Sequence, residues 1–96
     1  MKKLIIAATL CLATTVQADD GEAIYNAKCM ACHGTGIGPM SRMKGAWKAR
    51  LEAQGGVEGL LASAKQGINA MPPKGGCTDC SDEQLRAAIA FMTTFK

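Results

Sequence analysis

Cys29-Met30-Ala31-Cys32-His33 is the stretch on which the whole chain turns. Two cysteines three positions apart, with a histidine directly after the second, form the attachment pattern of c-type haem. The spacing has a physical reason. Residues three apart lie on one face of a helical turn, so both sulfurs reach one edge of a porphyrin and form thioethers with its vinyl groups. The histidine then offers a ring nitrogen to the iron as proximal ligand. Two other uses of C-x-x-C do not fit this chain. A thioredoxin-like redox pair needs strands and helices in alternation, and no run here alternates with period two. A zinc ribbon needs its second C-x-x-C about 15–20 residues on, whereas Cys77 follows Cys32 by 45 positions. The expected reading is one haem c bound through Cys29 and Cys32, with His33, the sole histidine, on the iron.

Outward from the motif, the composition asks for such a group. From residue 19 onward the chain holds eleven Leu, Ile, Val and Phe residues and eleven glycines. A chain this short buries little surface and usually needs disulfides, a metal or a cofactor as a staple. These numbers exclude a multidomain enzyme, a membrane-spanning protein and a long coiled coil. The first residues explain the boundary. Met1-Lys2-Lys3 is a basic start, Leu4 to Ala13 is apolar, and Val16-Gln17-Ala18 places small side chains before a cut. Residues 1–18 are expected to be a cleavable secretory signal and residues 19–96 the working domain, exported to a periplasm. The apolar run is far short of the roughly 20 residues a span needs, so no membrane span is expected after cleavage. Cys11 leaves with the signal. Four cysteines remain, and an even count in an exported chain suggests disulfides. Cys80 is followed by Ser81, not histidine, so the second C-x-x-C does not attach a second haem.

With one histidine, the second axial position falls to a methionine, a lysine, water or nothing. Met30 is committed inside the motif, Met92 sits at helical spacing from Leu85 and Ile89, and Met40 and Met43 follow a glycine-rich loop close to His33. Met71 stands in Asn69-Ala70-Met71-Pro72-Pro73-Lys74-Gly75-Gly76. Proline fixes its own φ and restricts the residue before it, so two prolines after Met71 hold its thioether at low entropic cost. Met71 is the expected distal ligand.

Four short helices are expected. One runs from near Asp19 or Asp20, as N-caps, through Ile24, Ala27 and Ala31 into the haem motif. One covers about Met43 to Gln54 and stops at Gly55-Gly56. One is Val57 to Gln66, with apolar residues at i, i+3, i+4 and i+7. The last opens on the capping box Ser81/Gln84 and buries Leu85, Ala88, Ile89 and Met92. Helices this short are marginal alone and need a shared apolar object to pack on.

At this point the sequence resembles the class I c-type cytochromes, and within them the cytochrome c5 group. The motif at Cys29 to His33, the segment Ala70 to Gly76 and the run Cys77-Thr78-Asp79-Cys80-Ser81-Asp82-Glu83 carry the resemblance. It implies an all-α class I cytochrome c fold of about four short helices around one covalently attached haem c. It also implies His33/Met71 ligation and a disulfide between Cys77 and Cys80. Gly21 and Tyr25 resemble residues of the family's first helix, and Phe91 the aromatic of its last, where the two pack. Pro39 resembles the proline whose carbonyl accepts the proton of the histidine's other nitrogen, and Trp47 and Arg50 resemble residues near the haem propionates. The function implied is that of a respiratory electron carrier, not an enzyme. It cycles between ferric and ferrous iron and meets redox protein partners as a monomer or weak dimer. Nucleic acid is excluded as a partner, because the balance is near neutral: the +3 of the whole chain falls to +1 once Lys2 and Lys3 leave. The basic residues cluster between Lys28 and Lys74, and Arg42, Lys44, Lys48 and Arg50 form a candidate docking patch. Solvated helix faces account for the same charges equally well.

Overall fold

The computed structural model describes residues 17–95. The export segment expected at residues 1–18 lies outside them except for Gln17 and Ala18. Helix α1 (Gln17–Ile24) passes into a single π turn (Tyr25–Cys29) and on into α2 (Met30–His33). Then come α3 (Lys44–Gln54), α4 (Val57–Gln66), a 3₁₀ turn (Pro73–Gly76) and α5 (Asp82–Thr93). Among the described residues there is no strand, only an isolated bridge between Ile68 and Met71. The fold is the all-α one expected.

The boundaries follow from local chemistry. Gly55 ends α3 in the left-handed region at φ 83°, which a residue without Cβ adopts at no steric cost. Ser81 caps α5: its hydroxyl accepts from the Gln84 backbone N–H, while the Gln84 side chain accepts from the Ser81 N–H. The reciprocal box satisfies two of the orphan donors that every helix start leaves. The first helix departs from expectation. It is already helical at Gln17, so neither Asp19 nor Asp20 caps it. The π turn inserts an extra residue before Cys29, closed by the Met30 N–H on the Tyr25 carbonyl. Such insertions re-phase the faces of a helix and recur at functional sites.

The packing centres on α5. Its Leu85 and Ile89 join Leu61, Ala64 and the Cys77–Cys80 disulfide in one buried cluster. Its Ala88 and Met92 join Tyr25 and Trp47 in a second. The Tyr25 and Phe91 rings lie 5.4 Å apart, where α1 and α5 pack. Gly21 makes that approach possible: a Cβ there would stand 2.4 Å from the Ala87 carbonyl oxygen. In an open helix, alanine is worth about 0.5–1 kcal/mol more than glycine. At this position overpacking reverses the sign. Gly21→Ala is expected to lower stability by about 2 kcal/mol, seen as a drop of about 10 °C in Tm. A raised Tm would show that the helices do not touch there.

Candidate haem site

The sequence motif becomes a site because a loop folds back over it. His33 is 8% exposed. Its Nδ1 lies 2.8 Å from the Pro39 carbonyl oxygen. A carbonyl only accepts, so Nδ1 carries the proton and donates. That assigns the tautomer and leaves Nε2 with its lone pair. Among the described residues Nε2 has no hydrogen-bond partner. A buried acceptor without a partner costs about 1–3 kcal/mol, so the ring is built to receive a further group. Gly38 leaves the ring its space, since a Cβ there would sit 2.9 Å from Cε1 and 3.1 Å from Nδ1.

His33 lines a cavity of about 350 Å³. Cys29, Cys32 and Met71 line the same cavity. Leu60, Ala64, Ile68, Leu85 and Ile89 supply much of its apolar wall. The volume falls within the ~300–1,000 Å³ of cofactor and ligand sites. Both motif cysteines are free. Burial, and after it the neighbouring Cys32, pushes the Cys29 thiol up, so it stays a protonated thiol through neutral pH. Two unpaired thiols, one imidazole nitrogen without a partner and one thioether around a single apolar cavity fit a covalently held haem.

The methionines sort by position. Met92 is 5% exposed in the core, whereas Met30, Met40 and Met43 are exposed. Met71 is half-buried on the cavity wall. Its backbone is pinned at both ends: Ile68 N–H donates to the Met71 carbonyl at 3.0 Å, and Met71 N–H donates to the Ile68 carbonyl at 2.8 Å. Gly67, at φ 88°, permits that closure. A Cβ on it would meet the Met71 oxygen and the Pro73 nitrogen at 2.9 Å each. Beyond the 3₁₀ turn, Cys77 and Cys80 are joined as a disulfide with Cα atoms 5.4 Å apart. The Lys74 ammonium donates to the Cys80 carbonyl at 3.1 Å, so the methionine segment is fastened to the entrance of α5. Asp79 completes a compact group with these two cysteines, but sulfurs spent on a disulfide are not metal ligands.

Some contacts have no signal in the sequence. The Trp47 indole N–H donates to the Met40 carbonyl at 2.8 Å, and the Tyr25 hydroxyl donates to Ser41 Oγ at 2.7 Å. Arg50 and Trp47, which the resemblance put near the haem, both line the cavity, and the Arg50 guanidinium stands 5.9 Å from the indole centroid.

Similarity to known proteins gives the family. A family profile described as cytochrome C oxidase, cbb3-type, subunit III matches residues 16–92. Over 78 residues the chain is 50% identical to cytochrome c5 of Azotobacter vinelandii, covering 79% of this chain and 94% of that protein. The chain belongs to the class I c-type cytochromes, in the cytochrome c5 group. Cytochrome c5 of Ectopseudomonas mendocina is 55% identical over 67 residues, 68% of this chain and 77% of its own. A mono-haem ferrocytochrome c from Shewanella putrefaciens superposes with a TM-score of 0.68 at 48% identity, over 80% of this chain and 95% of that one. A chain from an electron transfer complex of nitrite reductase with cytochrome c gives 0.70 at 39%, over 77% and 90%. Members of this family bind haem c and carry electrons, and the present chain is a monohaem electron carrier of that kind, not an enzyme.

Proposed function

We propose that the chain is a periplasmic carrier of single electrons in a respiratory chain. One haem c would be held by thioethers from Cys29 and Cys32, with His33 and Met71 on its iron. When bound, the group supplies one-electron chemistry between ferric and ferrous iron. The observation that carries the reading is the state of His33: it is buried in the cavity beside two free thiols, its Nδ1–H donates to Pro39, and its Nε2 is left to bind. Residues 1–18 act as the cleaved export signal and residues 19–96 as the cytochrome domain. That compartment suits a Cys77–Cys80 disulfide.

The chain's own residues account for the behaviour expected of a carrier. The Pro39 carbonyl keeps the imidazole in one tautomer and its Nε2 aimed into the cavity as a ligand. A thioether from Met71 is soft and favours the reduced state, as does an apolar surround. With His33 and Met71 both holding the iron, oxygen and peroxide would be kept off it. Cys32 is exposed, so the attachment edge of the site meets solvent, where an electron crosses to a partner. Among the described residues no helix is long and apolar enough to cross a membrane. The partners are redox proteins, a class consistent with the nitrite reductase complex of the structural neighbour, met by a monomer or weak dimer.

Acidified acetone distinguishes covalent from dissociable pigment. The exported protein is expected to keep its colour through the wash, to gain the mass of one haem, and to show a low-spin spectrum in both redox states. Colour lost to the acetone, or a high-spin ferric spectrum, would overturn the reading.

Of the basic residues singled out in sequence, Lys44, Lys48 and Arg50 are exposed and Arg42 is half-buried. Lys48 pairs with Glu52, and the Arg42 guanidinium stands 4.8 Å from the Phe91 ring centroid. If this face steers docking onto an acidic partner, the partner's reduction rate falls with added salt, by up to about tenfold. A rate indifferent to salt rules out the patch.

A further inference from the structure

The Pro39 carbonyl sets the electronic character of His33, so whatever holds Pro39 in place sets it too. Pro39 lies in the loop between α2 and α3, and that loop is tied on both sides of it. Before it, the Gly38 N–H donates to the Cys32 carbonyl at 2.9 Å. After it, the Ser41 N–H donates to the His33 carbonyl at 2.8 Å. These backbone bonds belong to the loop itself. Three further bonds tie it to the rest of the fold: the Arg42 N–H donates to the Met92 carbonyl of α5 at 2.6 Å, three residues past Pro39, and two donors nearer to it are buried side chains, each 5% exposed. Trp47, on α3, gives its indole N–H to the carbonyl of Met40, the residue directly after Pro39. Tyr25, in the π turn, gives its hydroxyl to Ser41 Oγ. Neither donor bonds to a nitrogen of His33, although the Trp47 ring packs 5.9 Å from the imidazole centroid.

A buried tryptophan or tyrosine must satisfy its polar tip somewhere, so what matters is where the tips land. Here each polar tip lands on consecutive residues of one loop, and the loop's output is the single acceptor facing Nδ1. We propose that Trp47 and Tyr25 are positioning residues: by clamping Met40 and Ser41 they hold the Pro39 carbonyl on His33 and so set the reduction potential of the site. This rests on the haem reading given above. The direction follows from the chemistry. A strong Nδ1–H···O bond makes the imidazole more electron-rich, which favours the ferric state. Loosening the clamp weakens that bond and favours the ferrous state.

The test uses the holoprotein. Trp47→Phe keeps a ring and removes the N–H, and Tyr25→Phe removes only the hydroxyl. Both are expected to keep haem through acidified acetone, to show a higher midpoint potential than wild type, and to exchange the His33 Nδ1 proton with solvent faster by NMR. The exchange increase expected for Trp47→Phe is about tenfold, the equivalent of one lost buried hydrogen bond. Tyr25→Phe moves both readouts the same way and less, because Ser41 is one residue further from Pro39. Ser41→Ala, which removes the acceptor from a half-buried loop position, is a second route to the same result should Trp47→Phe not fold. Folded variants that lose thermal stability while potential and proton exchange stay at wild-type values would leave Trp47 and Tyr25 as packing residues, and the clamp is then wrong. A fall in potential overturns it as well. Wild-type protein that sheds its pigment in acetone overturns the haem reading and the clamp with it, whereas pigment retained beside unchanged readouts overturns the clamp alone.

Discussion

Replacing Cys29 and Cys32 together by alanine is expected to abolish not only the covalent pigment but the cooperative fold. The cavity they border is about 350 Å³. An unfilled cavity costs about 24 cal/mol per Å³, which is about 8 kcal/mol here. The mouth of the site is open to solvent, so the figure is an upper bound. Domains of this size rarely draw more than about 3–5 kcal/mol from a single core. Even half the cavity term therefore removes the margin. The two buried clusters are small and share α5, so neither stands without the other. The exported double variant should show weakened helical circular dichroism and no sharp thermal transition. Single replacements keep one thioether and should lie between. A colourless double variant that melts as sharply as wild type, at a similar temperature, would show that the helices pack without the porphyrin.

Met71→Ala is expected to leave the pigment attached and expose the iron. If Met71 holds the iron, carbon monoxide must displace it in wild type, and a tethered ligand competes at a high effective concentration. Removal of the thioether should raise the affinity of the ferrous protein for carbon monoxide at least about 100-fold. The midpoint potential should fall, because the soft ligand that favours the reduced state is gone. Met71 is half-buried and pinned through its backbone to Ile68, so the loop should keep its path and the stability loss should stay near or below the ~2 kcal/mol lower end for Met→Ala in a core. Wild-type protein that takes up carbon monoxide as readily as the variant would remove Met71 from the iron. The same experiment on Met40→Ala and Met43→Ala should change nothing, since both side chains face solvent.

Much of the site was legible because its signals are local. Cys29, Cys32 and His33 sit at a spacing that serves one chemistry, and proline after Met71 marks a stiffened residue without any knowledge of what it faces. The helices behaved likewise. The i, i+3, i+4 pattern placed α4 at Val57–Gln66, as observed, and Ser81 with Gln84 placed the start of α5. Each of these is a rule about residues within one or two turns of each other. The resemblance to the family brought Pro39 to His33 and Tyr25 to Phe91, and both contacts are present. The π turn before the motif was not legible, because an inserted residue changes neither propensity nor apolar spacing enough to be seen.

From the chain of letters alone came a short all-helical domain with too few apolar side chains to fill itself and a haem-attachment motif to supply the rest. It also yielded the limits of the last three helices, since caps, glycine stops and apolar period act between near neighbours. What only the folded molecule decided was which buried polar tips meet the loop over His33. Trp47 reaches Met40 from another helix, and Tyr25 reaches Ser41 across sixteen residues. Neither bond has a period or a motif. A hydrogen bond between distant residues depends on the distance and direction of two groups after packing, and those are set by every contact around them at once.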